Sequence, residues 1–195
     1  LLDSSVESTI SKYLELCNET TKKGEFKLNS YNGNSILSNI KILNGNNEES
    51  SVFQSGEELK VCFSCSVASE EKCPLFTITI KSLSGNLFGA SMVMDGFNGG
   101  TLNGCNEVEC IFPQINLLPG QSYYIMLTAR ASDGISPFFP KTDIGFFHVA
   151  GSPKDVGLEG FNAHEYMSGF SPLMVPYTWK MGANTQNTYE LLSRK

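Results

Sequence analysis

Two hydrophobic periods divide this chain. In residues 4–17, Val6, Ile10, Tyr13, Leu14 and Cys17 recur at helical spacing, and Ser4 with Glu7 fits a capping box, so the pattern predicts a short helix. Residues 18–34 are polar and rich in Lys, Asn and Gly, the composition of a linker. From Ser35 the period changes to two. Ile36–Leu43 reads as a first strand, and Ser55-Gly56-Glu57-Glu58 turns into a second. In that second strand Leu59, Val61, Phe63, Cys65 and Val67 belong to the core, while Lys60, Cys62, Ser64 and Ser66 face outward.

The alternation continues. Phe76, Ile78 and Ile80 interleave with Thr77, Thr79 and Lys81, and Ser84-Gly85-Asn86 turns the chain into a returning strand over 87–94. Residues 95–106 read as a Gly/Asn-rich loop, and strands follow over 107–116, 122–131 and 143–150. Between the first two of these lies Leu117-Leu118-Pro119-Gly120-Gln121-Ser122-Tyr123-Tyr124, an apolar strand end, a Pro-Gly turn and an aromatic strand start. Seven short strands with no helix between them predict an all-β fold, an immunoglobulin-like or jelly-roll antiparallel β-sandwich. The segment after Gly151 breaks the rhythm. It carries Phe161, Tyr166, Phe170, Tyr177 and Trp179, and a strand over 173–180 whose Pro176 confines it to an edge or a bulge. Such a strand packs on its own domain or pairs with another chain. The expected organisation is thus a helix and linker over 1–34, a sandwich over 35–150 and a C-terminal segment over 151–195.

Length and charge narrow the function. A chain of 195 residues can bury roughly 70% of its unfolded surface and needs no metal or disulfide staple. Its net charge of −6, with no Lys/Arg run, argues against nucleic acid and anionic membrane surfaces, which require clustered cations. No apolar run is long enough to span a bilayer. The start Leu1-Leu2-Asp3-Ser4-Ser5 has neither an initiator Met nor the order of a signal peptide, which suggests a fragment of a longer protein.

Catalytic signatures are missing. Gly169-Phe170-Ser171-Pro172-Leu173 lacks the closing glycine of a nucleophile elbow, and there is no His-Glu-x-x-His and no Gly-x-x-x-x-Gly-Lys. Gly96-Phe97-Asn98-Gly99-Gly100 lacks the lysine and helix start of a phosphate loop and reads as a surface loop. Asp95 and Glu107 are carboxylates that glycoside hydrolysis could use only if the fold brought them together. The six cysteines, Cys17, Cys62, Cys65, Cys73, Cys105 and Cys110, match no small disulfide scaffold. Cys62 and Cys65 fall on opposite faces of one strand, which spoils them as a zinc half-site, and reduced thiols are the default. Neither cofactor nor metal is expected.

Carbohydrate is the ligand that the outward faces suit. A sugar ring offers an apolar C–H face for stacking and hydroxyls for hydrogen bonds. With Tyr123, Ile125, Leu127 and Ala129 inward, Tyr124, Met126, Thr128 and Arg130 face out; with Gly145, Phe147 and Val149 inward, Phe146 and His148 face out. Thr77, Thr79 and Lys81 add a third strand, and in an immunoglobulin-like order all three are neighbours. The candidate carbohydrate-binding residues are therefore Thr79, Lys81, Tyr124, Met126, Thr128, Arg130, Phe146 and His148. The same face equally suits covering by another subunit or by the C-terminal segment.

Four stretches occur in order: Ser55-Gly56-Glu57-Glu58-Leu59-Lys60-Val61, Ser84-Gly85-Asn86-Leu87-Phe88-Gly89, Leu117-Leu118-Pro119-Gly120-Gln121-Ser122-Tyr123-Tyr124 and Asp143-Ile144-Gly145-Phe146-Phe147-His148-Val149. Together they resemble the C-terminal carbohydrate-binding domain of Wzt, the nucleotide-binding subunit of the ABC transporter that exports O-antigen polysaccharide, over roughly residues 35–180. The resemblance implies a non-enzymatic β-sandwich that binds the finished O-antigen glycan, often at a modified non-reducing end, and so licenses export. It also implies a homodimer with exchanged C-terminal strands, in which Trp179 is a packing anchor. The partners would be the transporter's membrane subunit and an ATPase domain preceding this segment, at the cytoplasmic face of the inner membrane. A secreted, disulfide-braced adhesion sandwich and a polysaccharide-modifying enzyme remain the alternatives.

Overall fold

The structure is a computed structural model and describes residues 27–158, 173–174, 177–181 and 184–188. The strands in chain order are β1 (Leu28–Asn29), β2 (Ser35–Asn44), β3 (Val52–Gln54), β4 (Leu59–Lys72), β5 (Leu75–Ser82), β6 (Gly85–Ser91), β7 (Thr101–Phe112), β8 (Gln121–Arg130), β9 (Pro137–Ala150), β10 (Tyr177–Met181) and β11 (Asn184–Thr188). One helical turn, α1 (Met92–Asp95), separates β6 from β7. A four-stranded sheet runs β1-β2-β4-β7 and a five-stranded sheet runs β3-β9-β8-β5-β6. The helix expected over 4–17, and Phe161, Tyr166 and Phe170, lie outside the described residues.

Alternation builds both sheets around one core. The expected inward sets hold on β4 (Leu59, Val61, Phe63, Cys65, Val67) and on β8 (Tyr123, Ile125, Leu127, Ala129), all of them buried. Aromatic rings tie the sheets together. Phe63 on β4 meets Phe76 on β5 edge-on with centroids 5.0 Å apart, and Phe88 on β6 meets Phe112 on β7 at 5.5 Å.

The turn before β8 is anchored from both ends. Gly120 has φ of 77°, which a β-carbon would strain, and its N–H donates to the Val149 carbonyl at 2.7 Å. Two residues into β8, the Tyr123 hydroxyl donates to the Leu118 carbonyl at 2.8 Å. This return bond five residues upstream is the tyrosine-corner arrangement of immunoglobulin-like sandwiches. Burial pushes the Tyr123 phenol up, so the donor proton stays in place.

Local pattern misplaced several boundaries. Residues 101–106 are strand rather than loop, because Gly104 with φ of 64° and the neighbouring asparagines hide a segment that pairs with β4 from Thr101 onward. The same strand stops at Phe112 rather than at Asn116, just before Pro113. The returning strand ends at Ser91, where α1 begins. β3 runs parallel to β9 within an otherwise antiparallel sheet, as Val52, Phe53 and Gln54 pair with His148, Val149 and Ala150. A three-residue strand has too short a period to be recognised in advance. Of residues 173–180, read as a strand from sequence, 177–180 fall in β10, which extends to Met181 and pairs antiparallel with β11. Leu173 bridges Leu117, and the Met174 N–H donates to the Asn116 carbonyl at 2.9 Å.

Candidate functional site

β5, β8 and β9 are neighbours at the centre of the five-stranded sheet, so the outward residues of all three strands share one surface. Cross-strand register orders them in rows. Thr77 lies opposite Thr128 on one side and Ser91 on the other, with the Thr77 and Ser91 hydroxyls 2.9 Å apart. Thr79 lies opposite Met126 and Gly89, and Lys81 lies opposite Tyr124, which lies opposite Phe146. The surface thus combines a Tyr–Phe pair, three threonines and a lysine.

Not all eight candidates meet. Thr79, Lys81, Tyr124, Met126, Thr128 and Phe146 are contiguous across the three strands. Arg130 is exposed at the far end of β8, and its guanidinium donates to the Ile135 carbonyl, bracing the β8–β9 loop. His148 lies opposite Ser122 at the other end, is only 5% exposed, and has Nδ1 3.3 Å from the Ser122 hydroxyl oxygen. Eight residues of antiparallel strand span about 27 Å, so Arg130 and His148 cannot hold the same sugar ring. Met126 faces outward yet is also only 5% exposed, and it underlies the surface rather than crowning it.

One residue on this surface escaped the sequence pattern. Asp143 lies opposite Met126, and its carboxylate accepts from the Lys81 ammonium at 3.1 and 3.4 Å. Strict alternation back from Phe146 would bury Asp143, and only the isolated glycine at 145 signals an irregular strand.

Burial governs the chemistry of Cys62, Cys65, Cys73 and Cys110. Burial pushes Cys65 up to about 12, with Cys73, Glu71 and Cys105 adding to the rise. Burial likewise raises Cys62, Cys73 and Cys110, and Glu109 adds to the effect at Cys62. Raised thiols are poor nucleophiles and poor metal ligands. Cys65 points into the core and Cys62 out of it, and Cys62, Cys65, Cys73, Cys105 and Cys110 are all free. Among the described residues no group of three or more His, Cys, Asp or Glu side chains is placed to hold a metal ion. Of the two carboxylates considered for hydrolysis, Glu107 accepts from Ser64 on the four-stranded sheet, whereas Asp95 belongs to α1. No helix among the described residues is long and apolar enough to cross a membrane.

Comparison with known proteins agrees with this architecture. A crystal structure of the C-terminal domain of Wzt superposes with a TM-score of 0.51 at 14% identity, covering 66% of this chain and 79% of that one, a likeness of fold. A Niemann-Pick type C2 protein from the Japanese carpenter ant is found at a TM-score of 0.38 and 15% identity, covering 62% of this chain and 92% of that one, too loose to argue from. No curated protein matches the chain. The family model described as the Wzt C-terminal domain matches residues 29–161, which takes in both sheets of the sandwich from Asn29 through β9. The chain belongs to the Wzt C-terminal domain family.

Proposed function

We propose that this domain is a non-enzymatic recognition module that binds O-antigen polysaccharide, at its modified non-reducing end, to license export by an ABC transporter. Membership of the Wzt C-terminal domain family supports a carbohydrate-binding role of the Wzt type. The observation that carries the reading is the outer face of β5, β8 and β9. There Tyr124 and Phe146 lie side by side, flanked by the hydroxyls of Thr77, Thr79 and Thr128 and by the Lys81 ammonium. Aromatic faces stack on the C–H side of a sugar, and the hydroxyls and the charged group orient it. In this reading the domain works as a homodimer with exchanged C-terminal strands, beside the transporter's membrane subunit and ATPase domain, on the cytoplasmic side of the inner membrane.

The test is affinity electrophoresis of the purified domain in gels containing O-polysaccharide from the cells that make the protein. Retention by that polymer and not by unrelated ones is expected, and unretarded migration would refute the assignment. Tyr124→Ala should weaken retention about tenfold or more while leaving the circular dichroism spectrum unchanged, given the size of aromatic–sugar stacking. Arg130→Ala should weaken it less, since that side chain braces a loop at the margin. Unchanged retention in both variants would reject this face as the binding surface.

A further inference from the structure

Asp143 reaches the outer surface through one irregularity in β9. Ile125 pairs with Gly145 while the next residue, Met126, pairs with Asp143, so Ile144 is an extra residue on β9. Ile144 is buried in the core. Gly145 also turns inward, where an added β-carbon would lie 2.5 Å from Ile42 Cδ1. Two consecutive inward residues shift the alternation and turn Asp143 outward. β-bulges are the usual means by which a strand re-aims a side chain in this way.

The re-aimed carboxylate meets a partner from a non-adjacent strand. Lys81 belongs to β5, with β8 between it and β9, so the ion pair reaches over β8 between Tyr124 and Met126. The Lys81 side chain is 25% exposed and that of Asp143 is 54% exposed. A ligand laid on this surface therefore meets the carboxylate before the ammonium. Surface ion pairs contribute little to stability, so keeping the fold does not account for this one. A carboxylate held by a lysine on one side retains acceptor sites on the other, and charge-assisted hydrogen bonds to it are the strong ones.

We propose that Asp143 is a specificity-determining residue of this surface. It accepts hydrogen bonds from two neighbouring hydroxyls of a neutral sugar ring stacked on Tyr124 and Phe146, while Lys81 holds it in orientation from its less exposed side. The ligand class is an uncharged, hydroxyl-rich segment of glycan, because a uronic acid or phosphate group at that point would face the exposed carboxylate. This inference rests on the glycan-binding reading above.

The experiment is affinity electrophoresis against four polymers: a neutral mannan, a neutral galactan, polygalacturonate and the O-polysaccharide of the cells that make the protein. The wild-type domain should be retained by the O-polysaccharide, more weakly or not at all by the mannan and galactan, and not by polygalacturonate. Asp143→Asn should lower affinity for the retained polymer about tenfold or more, the scale of one lost charge-assisted hydrogen bond. The double variant Lys81→Asp with Asp143→Lys restores an ion pair of opposite sense. It should keep the wild-type melting temperature and lose binding, which a purely structural pair would not do. Wild-type affinity within twofold in Asp143→Asn, or in the swapped variant, would overturn the role of Asp143. Equal retention on polygalacturonate would overturn the ligand class. Retention on none of the four would refute the glycan reading itself, and this inference with it.

Discussion

On the outer face of the four-stranded sheet, polar side chains bond one another. Asn39 donates to the Ser64 hydroxyl at 3.1 Å, and Ser64 donates to Glu107 at 2.8 Å, so a chain of hydrogen bonds crosses β2, β4 and β7. Lys60 donates to Asn47 at 2.7 Å and lies 3.2 Å from Glu58. On the outer face of the five-stranded sheet, Tyr124, Phe146 and Met126 share the surface with threonines and the Lys81–Asp143 ion pair, whose carboxylate is half exposed. Both faces cover the same core with the same alternation. The first spends its polar groups internally; the second combines apolar rings with acceptors still open to a ligand. Sheet architecture supplies two candidate surfaces, and only side-chain chemistry separates them.

Phe147→Ala removes a fully buried ring lying against Phe53 and Tyr123, and should cost about 3–5 kcal/mol in denaturant unfolding, taking both faces with it. If only the five-stranded face lost structure, the single core described above would be wrong.

Tyr123→Phe leaves the buried Leu118 carbonyl without its donor and should cost about 1–3 kcal/mol. It should also change the alkaline limb of stability. The unfolded chain releases the Cys65 proton from an ordinary value of 9.0 and the Tyr123 proton from 10.0, while burial raises both in the folded chain. Their contribution is therefore full below pH 9 and falls as pH rises from there toward 12. Thermal melts from pH 8 to 11 should show the wild type losing stability above pH 9, and Tyr123→Phe losing it less steeply above pH 10.

Gly145→Ala pushes a methyl group against Ile42 Cδ1, a terminal atom that can swing aside, so the cost should be about 1 kcal/mol and should shrink in an Ile42→Val background. A cost unchanged by the Ile42 substitution would mean the bulge is not held by that contact. Ser64→Ala should cost about 1 kcal/mol and leave polysaccharide retention untouched, since its hydroxyl serves Asn39 and Glu107. Loss of retention there would move the binding surface to the four-stranded sheet.

Much of the fold was legible because burial on one face imposes a period of two. The inward sets of β4 and β8 follow from that period, as does the pairing of Tyr124 and Phe146 on one surface once their strands are neighbours. Asp143 was not legible, because the bulge at Ile144 adds one residue and reverses the inside and outside assignment on the N-terminal side of it. β3 was missed because three residues carry no period, and the first half of β7 because glycine and asparagine mask it.

The chain's own alternation of apolar and polar residues determined that this protein is a sandwich, which side chains its core receives, and that aromatic and hydroxyl groups are left outside on β5 and β8. Local stereochemistry suffices for that, since successive β-carbons alternate across a strand whatever its neighbours. Tertiary structure alone decided that Ile144 bulges out of the pairing, that Gly145 turns in against Ile42, and that Asp143 emerges to meet Lys81 across an intervening strand. Those are contacts between residues distant in the chain, and their register is set by packing against the opposite sheet, which no local window contains.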